Sequence, residues 1–163
     1  ALAFASEYKH PCSLRYPRGS FTKTDLAEST PFSLAKSQLL QANDNDVLFI
    51  GYGNGVGRAY ETAKLLDFNP SILDLRFVKP LDKDMLLDMS SKHKKWFIFS
   101  DSSKAGGVAS AILEFLADES ILDVNVSSFE YEDNFITHGN TKLVEESLGI
   151  LPTQLAKKVK ALV

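Results

Sequence analysis

The sequence predicts an α/β protein: a three-layer α/β/α arrangement around a mostly parallel sheet. Four short apolar segments of strand length recur along the chain, and each is followed by apolar residues at helical spacing. Strands that alternate with helices form a parallel sheet covered by helices on both faces. Of the 163 residues, 44% are hydrophobic and 24% charged, which is the balance of an ordinary globular domain.

Each expected element follows from its local pattern. The predicted strands are residues 47–50, 71–75, 96–99 and 124–129, which are rich in β-branched and aromatic residues. The predicted helices begin near Val56, at Asp82 as N-cap, after Gly106-Gly107, near Lys142 and at Pro152. Gly149 is expected to end the helix that begins near Lys142.

The first 30 residues have a different organisation. Residues 1–19 suggest the end of a helix followed by a short strand at 12–16, which Pro17 and Gly19 terminate. One helix and one strand cannot bury two faces alone, and residues 20–30 have the polar composition of a linker. We therefore expect residues 1–19 to belong to a preceding domain and residues 31–163 to form the main one.

Charge and cysteine content exclude several classes of function. The net charge is 18 − 21 = −3, so the chain has no basic footprint for nucleic acid or an anionic membrane. No apolar run approaches the roughly 20 residues of a membrane helix. The single cysteine, Cys12, cannot form an internal disulfide and is expected to be a packed thiol in a reducing, cytoplasmic compartment. The sequence shows no metal-ligand spacing.

Two glycine turns are candidate anion sites. Residues 51–57 lie between a buried strand and a helix, where backbone N–H groups can approach a phosphate, but they do not match G-x-G-x-x-G. Asp74 stands where a ribose-binding acid would follow, so a Rossmann-like nucleotide site remains an alternative to a tight turn. Gly106-Gly107, beside Lys104, could dock an anion or a partner carboxylate, although close packing of helix on sheet is favoured.

No catalytic triad is indicated. His10, His93 and His138 are scattered, and His93 in a lysine-rich stretch is expected on a solvated face. Glu130, Glu132 and Asp133 form an acidic group that is expected at the surface, unless it borders a ligand cleft.

Two arginines, Arg15 and Arg18, flank Tyr16-Pro17. A proline beside an arginine can hold the guanidinium as a preorganised fork for phosphate, although an exposed salt bridge is the ordinary alternative.

Several strings, taken in order, resemble one enzyme family. They are Leu-Arg-Tyr-Pro-Arg-Gly at 14–19, Asp-Val-Leu-Phe-Ile-Gly-Tyr-Gly at 46–53, Asp-Leu-Arg-Phe-Val-Lys-Pro-Leu-Asp at 74–82 and the pair Gly106-Gly107. This set resembles the C-terminal part of the transketolase-like thiamine-diphosphate enzymes. Asp-Asn-Phe-Ile-Thr-His-Gly at 133–139 and Leu-Gly-Ile at 148–150 make the resemblance strongest to the 1-deoxy-D-xylulose-5-phosphate synthase family within that group.

The resemblance implies a domain assignment and an activity. Residues 1–19 would end the pyrimidine-binding domain, 20–30 would be a linker, and 31–163 would form a transketolase C-terminal domain. The family joins pyruvate to glyceraldehyde 3-phosphate with loss of carbon dioxide, using thiamine diphosphate and magnesium in a dimeric enzyme. The family's Gly-Asp-Gly cofactor motif and activating glutamate segment are absent here, so this chain is expected to bind no cofactor and to be inactive without the remaining cofactor-binding domains.

The resemblance also assigns one site residue. Arg18, the second arginine of the Arg-Tyr-Pro-Arg-Gly string, is implied to bind the phosphate of glyceraldehyde 3-phosphate, whereas Arg15, Arg76 and Lys79 are expected to be structural. The family often has two acidic residues after the third core strand, but this sequence has Ser-Asp-Ser at 100–102. A nucleotide- or anion-binding domain, or the C-terminal part of another transketolase-like enzyme, remains the alternative.

Overall fold

A twisted five-stranded sheet forms the centre of the computed structural model, which describes residues 1–12, 14 and 22–163. The strands are β1 Gln38–Gln41, β2 Val47–Gly51, β3 Ser71–Asp74, β4 Lys95–Ser103 and β5 Asn125–Tyr131. The helices are α1 Leu2–Glu7, α2 Asn54–Ala63, α3 Lys83–Lys92, α4 Val108–Asp118, α5 Thr141–Ser147 and α6 Pro152–Leu162.

The sheet has the order β1-β3-β2-β4-β5, and the strands β3, β2, β4 and β5 are parallel to one another. The three-layer, mostly parallel fold class is therefore confirmed. The exception is β1, which pairs antiparallel with β3. It was not predicted, because its sequence Gln-Leu-Leu-Gln has only two apolar residues and so lacks an apolar run of strand length.

Period-two alternation divides the apolar core between the two faces of the sheet. On one face α3 and α4 cover the buried side chains of Leu48, Ile50, Leu73, Trp96 and Ile98. On the other face α2 and α6 cover those of Val47, Phe49, Ile72, Phe97 and Phe99. Because both faces of β2 and β4 are covered, these strands are apolar at every position from 47 to 50 and from 96 to 99.

The N-terminal residues pack on the rim of this domain. Phe4 of α1 meets the ring of Phe77 edge-on at 5.7 Å between centroids. Residues 22–30 form no helix or strand, yet Leu26 contacts the core and Asp25 bonds to Tyr60. No helix in the described part of the chain is long and apolar enough to cross a membrane.

The strand order reverses between β2 and β4. From β2 the chain passes through α2 to β3 on one side, and from β4 it passes through α4 to β5 on the other. The helices α2 and α4 cover opposite faces, so the loops after β2 and β4 diverge. In open α/β sheets, ligands bind in the crevice at such a reversal.

Candidate functional site

Polar side chains fill the crevice at the carboxyl ends of β2 and β4. Asp101, in the polar end of β4, accepts a 3.1 Å hydrogen bond from the Asn54 side chain at the start of α2. The same carboxylate accepts a 2.8 Å bond from Arg58 Nη2, one turn further along α2. The Asp101 carboxylate therefore lies beside the first glycine turn, where the sequence analysis allowed for a bound anion.

Arg58 joins three parts of the chain. Its Nη2 also bonds to Glu145 Oε1 of α5 at 3.0 Å, and its side chain is only 8% exposed. Burial lowers the pKa of Arg58, but the Asp101 and Glu145 carboxylates outweigh burial and keep the pKa above its ordinary value. Arg58 was missed by sequence reasoning, and the only signal was a charged residue among the small residues Gly55, Gly57 and Ala59.

A second carboxylate, that of Glu130, lies at the N-terminus of α4. Glu130 Oε1 accepts hydrogen bonds from Ser100 Oγ at 3.2 Å, from Ser102 Oγ at 2.6 Å and from the Ala109 N–H at 3.3 Å. Glu130 is 7% exposed, so its expected surface position is wrong. Glu132 and Asp133, which follow it, are exposed as expected. The period-two alternation of β5 turns residue 130 inward and explains the difference.

The glycines of both turns allow close packing of helix on sheet. A Cβ on Gly55 would lie 1.8 Å from the carbonyl oxygen of Phe99, and one on Gly107 would lie 2.0 Å from that of Ser103. Only glycine brings the helix backbone so near the strand. These contacts favour the packing interpretation of both turns over the nucleotide interpretation.

Asp74, the candidate ribose ligand, is already engaged. Both of its carboxylate oxygens accept bonds from Arg76, from the backbone N–H at 3.2 Å and from Nε at 3.3 Å. Burial raises the pKa of Asp74, and Arg76 offsets only part of this effect. Arg76 also bonds to Ser29 and Thr30, which agrees with its expected structural role.

Two other expectations about single residues are wrong. His93 is buried, with 3% of its surface exposed, and its Nδ1 lies 2.7 Å from the carbonyl oxygen of Asn45, so it is not on a solvated face. His93 follows α3 directly and lies just before the start of β4. The neighbouring lysines in the sequence gave no indication that it is buried. Cys12 is exposed and free rather than packed.

The substrate-binding candidate, Arg18, lies outside the described residues, as does Arg15. Most of the expected strand at 12–16 lies there too, and its described residues Cys12 and Leu14 belong to no strand. The phosphate-binding role of Arg18 therefore stays a prediction.

The described residues do not fit a magnesium–thiamine diphosphate. Within 1–12, 14 and 22–163, no three His, Cys, Asp or Glu side chains come together to hold a metal ion. The N-terminus of α4, which follows the second glycine turn, holds the Glu130 carboxylate. In the crevice, Asp101 accepts hydrogen bonds from Asn54 Nδ2 and Arg58 Nη2.

Comparison with known proteins agrees with this fold. The family model described as "Transketolase, C-terminal domain" matches residues 35–155. The 1-deoxy-D-xylulose-5-phosphate synthase of Sulfurimonas denitrificans is 76% identical over 163 residues, which are 100% of this chain and 27% of that protein. The same enzyme of Nitratiruptor sp. is 55% identical over 100% of this chain and 26% of its own length. The chain thus spans about a quarter of the length of the curated relatives it matches.

Solved structures share the fold at lower identity. A structure titled "Split gene transketolase, inactive beta4 tetramer" superposes with a TM-score of 0.74 at 20% identity, over 86% of this chain and 46% of that chain. The transketolase of Campylobacter jejuni gives a TM-score of 0.57 at 14% identity, over 83% and 20% of the two chains. With the sheet order, the glycine turns and a family match over most of its length, the chain belongs to the transketolase C-terminal domain family.

Proposed function

We propose that this chain is the C-terminal part of a 1-deoxy-D-xylulose-5-phosphate synthase. The whole enzyme would join pyruvate to glyceraldehyde 3-phosphate with loss of carbon dioxide. The condensation product would be used to make isoprenoid, thiamine and pyridoxal precursors. The observation that carries the proposal is the 76% identity to the Sulfurimonas denitrificans enzyme over every residue of this chain.

Within that enzyme, the described domain has a structural role. Its crevice is filled by Asp101 and Arg58, and its α4 N-terminus by Glu130. Thiamine diphosphate and magnesium would be bound by the remaining domains, and the cofactor would supply the carbanion chemistry there. The 163-residue chain alone is therefore inactive and binds no cofactor.

Arg18 would bind the phosphate of glyceraldehyde 3-phosphate, because a guanidinium fork matches a phosphate dianion. Residues 1–19 would end the pyrimidine-binding domain, and residues 20–30 would link it to the domain at 31–163. The partners are the remaining thiamine-diphosphate-binding domains and a second copy of the enzyme, in a cytoplasmic homodimer.

The assignment is tested with purified full-length enzyme, thiamine diphosphate and magnesium. Carbon dioxide release from pyruvate should depend on glyceraldehyde 3-phosphate, and the 163-residue chain should show none. A full-length enzyme that releases no carbon dioxide from these substrates contradicts the assignment.

The role of Arg18 is tested separately. Arg18→Ala in the full-length enzyme should raise the KM for glyceraldehyde 3-phosphate at least about tenfold and leave that for pyruvate near its original value, because a charged hydrogen bond is lost. Lys79→Ala, which removes an exposed cation, is the matched control. An unchanged KM for the triose phosphate removes Arg18 from the site.

A further inference from the structure

Residues 22–30 are held against the domain, and Gly57 of α2 contacts them at Thr22. We propose that Gly57 is a positioning residue. It lets Thr22 pack on the backbone of α2 and so fixes the part of the chain that carries Arg18 for binding the phosphate of glyceraldehyde 3-phosphate. This inference rests on the proposed role of Arg18 and adds a residue from a distant helix to it.

Gly57 lies within α2, and Thr22 packs directly on it. A Cβ on Gly57 would lie 2.7 Å from Thr22 Cβ and 2.8 Å from Thr22 Oγ1, and its three nearest heavy atoms would all belong to the Thr22 side chain. Gly57 has no left-handed φ, so its backbone alone would accept alanine. Glycine inside a helix is less stable than alanine. The contact with Thr22 is therefore the feature that requires glycine here.

Further contacts to α2 hold the residues just after Thr22. Tyr60 lies three residues after Gly57, and its hydroxyl donates a 3.0 Å hydrogen bond to Asp25 Oδ2. The same hydroxyl oxygen accepts the Asp25 N–H at 3.4 Å. Leu26 packs against the apolar core on the face of the sheet that α2 covers. Residues 22–26 are thus fixed to α2 by close packing and by hydrogen bonds.

Arg76 holds the other end of the segment. Its side chain is 2% exposed, and its guanidinium donates to Ser29 Oγ at 3.1 Å and to Thr30 Oγ1 at 3.2 Å. The guanidinium also lies 4.6 Å from the centre of the Phe32 ring. Arg76 has φ +57°, a strained conformation that persists only where the surroundings hold the residue. Because the end at 29–32 is held, a shift at Thr22 should be passed to the chain before Thr22.

The chain before Thr22 carries Arg18, four residues away in the sequence. Four extended residues span at most about 14 Å, so few rotatable bonds separate Arg18 from the contact at Thr22. A guanidinium binds phosphate through hydrogen bonds of defined geometry, and a misplacement of about 1 Å can cost about a hundredfold in rate. A methyl group at position 57 should therefore weaken binding of the triose phosphate but not of pyruvate, which has no phosphate.

The test measures steady-state kinetics of the full-length enzyme with thiamine diphosphate and magnesium. Gly57→Ala should raise the KM for glyceraldehyde 3-phosphate about fivefold and leave kcat and the KM for pyruvate within about twofold of the original. Thr22→Gly,Gly57→Ala removes the three atoms nearest the new methyl and should return the KM to within about twofold. Gly139→Ala is the matched control, because its Cβ would meet the end of the Val144 side chain at 3.2 Å, and it should change neither KM.

Two further measurements separate positioning from a structural role. Trypsin cleavage after Lys23 in the full-length enzyme, followed by mass spectrometry, should be about threefold faster in Gly57→Ala and near the original rate in the double variant. The thermal midpoint of Gly57→Ala should not fall, since alanine is favoured inside a helix. An unchanged KM for the triose phosphate, or a lower midpoint with both KM values raised alike, overturns the proposal.

The Arg18→Ala variant keeps this inference and the proposed function distinguishable. If Arg18→Ala raises the KM for glyceraldehyde 3-phosphate and Gly57→Ala does not, the positioning role is wrong and the role of Arg18 stands. If neither variant changes that KM, Arg18 does not bind the phosphate and Gly57 does not position it. Carbon dioxide release by the unaltered enzyme, measured in parallel, reports on the synthase assignment alone.

Discussion

Ser102 Oγ donates a 2.6 Å hydrogen bond to Glu130 Oε1 and so ties the polar end of β4 to β5. The same serine oxygen accepts the Val108 N–H at 3.2 Å, at the start of α4. Ser100 completes the group through its own bond to Glu130. Ser100 and Ser102 flank Asp101 at the end of β4, and the neighbouring strand β5 supplies the carboxylate that they share.

Glu130→Ala should destabilise the domain by roughly 3 kcal/mol, because two hydroxyls and a helix N–H lose a shared buried acceptor. The midpoint of thermal unfolding, Tm, should be about 9 °C lower in the variant for a chain of this size. Glu132→Ala is the matched control, since its side chain is 70% exposed and, among the described residues, its carboxylate bonds only to Lys104. Equal losses in both variants would show that the Glu130 contacts add no stability.

Arg58→Met should destabilise the domain by about 2 kcal/mol, because it removes the buried cation that Asp101 and Glu145 share, while these carboxylates, 37% and 24% exposed, keep part of their hydration. Urea unfolding at neutral pH measures the loss. Lys92→Met removes a cation of an exposed pair on α3 and should cost less than about 1 kcal/mol. If Arg58→Met,Asp101→Asn is no more stable than Arg58→Met, repulsion between the carboxylates is not the cause.

Asp74 and Asp123 should affect the pH dependence of stability in opposite directions. Burial raises the pKa of Asp74 in the folded state, so the folded chain binds the extra proton and stability falls as pH rises through the window above the unfolded pKa. Lys94 lowers the pKa of Asp123, so its stabilising effect is lost as pH falls below the unfolded pKa.

Unfolding free energies of Asp74→Asn and Asp123→Asn, compared with the original chain from pH 3 to pH 7, test both signs. The free energy of Asp74→Asn relative to the original chain should rise with pH, and that of Asp123→Asn should fall. Parallel slopes would contradict the assignment of either shift.

Gly55→Ala should prevent α2 from packing on the sheet, because the new methyl group would lie 1.8 Å from the Phe99 carbonyl oxygen. We expect a loss of at least about 3 kcal/mol. Gly53→Ala adds the same methyl in open space, but at φ +57° and ψ −123°, so only backbone strain of about 1–3 kcal/mol applies. Circular dichroism with urea compares the two, and a smaller loss for Gly55→Ala than for Gly53→Ala would contradict the contact.

NAD or ATP should leave the thermal midpoint of the 163-residue chain unchanged, because Asp74 and the Asn54 Nδ2 and Arg58 Nη2 donors of the crevice already have partners. A bound ligand at a hundredfold excess over its Kd would stabilise the chain by about 2.7 kcal/mol. A concentration-dependent rise in the midpoint would restore the nucleotide-site alternative.

The sequence predicted the parallel part of the fold well, because strands buried on both faces are written as unbroken apolar runs such as 47–50. It failed for β1, whose two leucines between glutamines make no such run. The site was harder, because burial of a charged residue depends on partners distant in sequence. The residues adjacent to Glu130 and His93 in the sequence do not indicate their partners, which are the Ser102 hydroxyl that donates to Glu130 and the Asn45 carbonyl group beside His93.

The bond from Arg58 to Glu145 joins residues 87 positions apart. Contacts of such separation carry a large loop-closure entropy and tend to form late in folding. The α5 segment should therefore dock after the sheet has condensed, and Arg58→Met should accelerate unfolding far more than it slows refolding. Arg58 would then contribute to kinetic stability, because its bonds would set the rate at which the native domain unfolds.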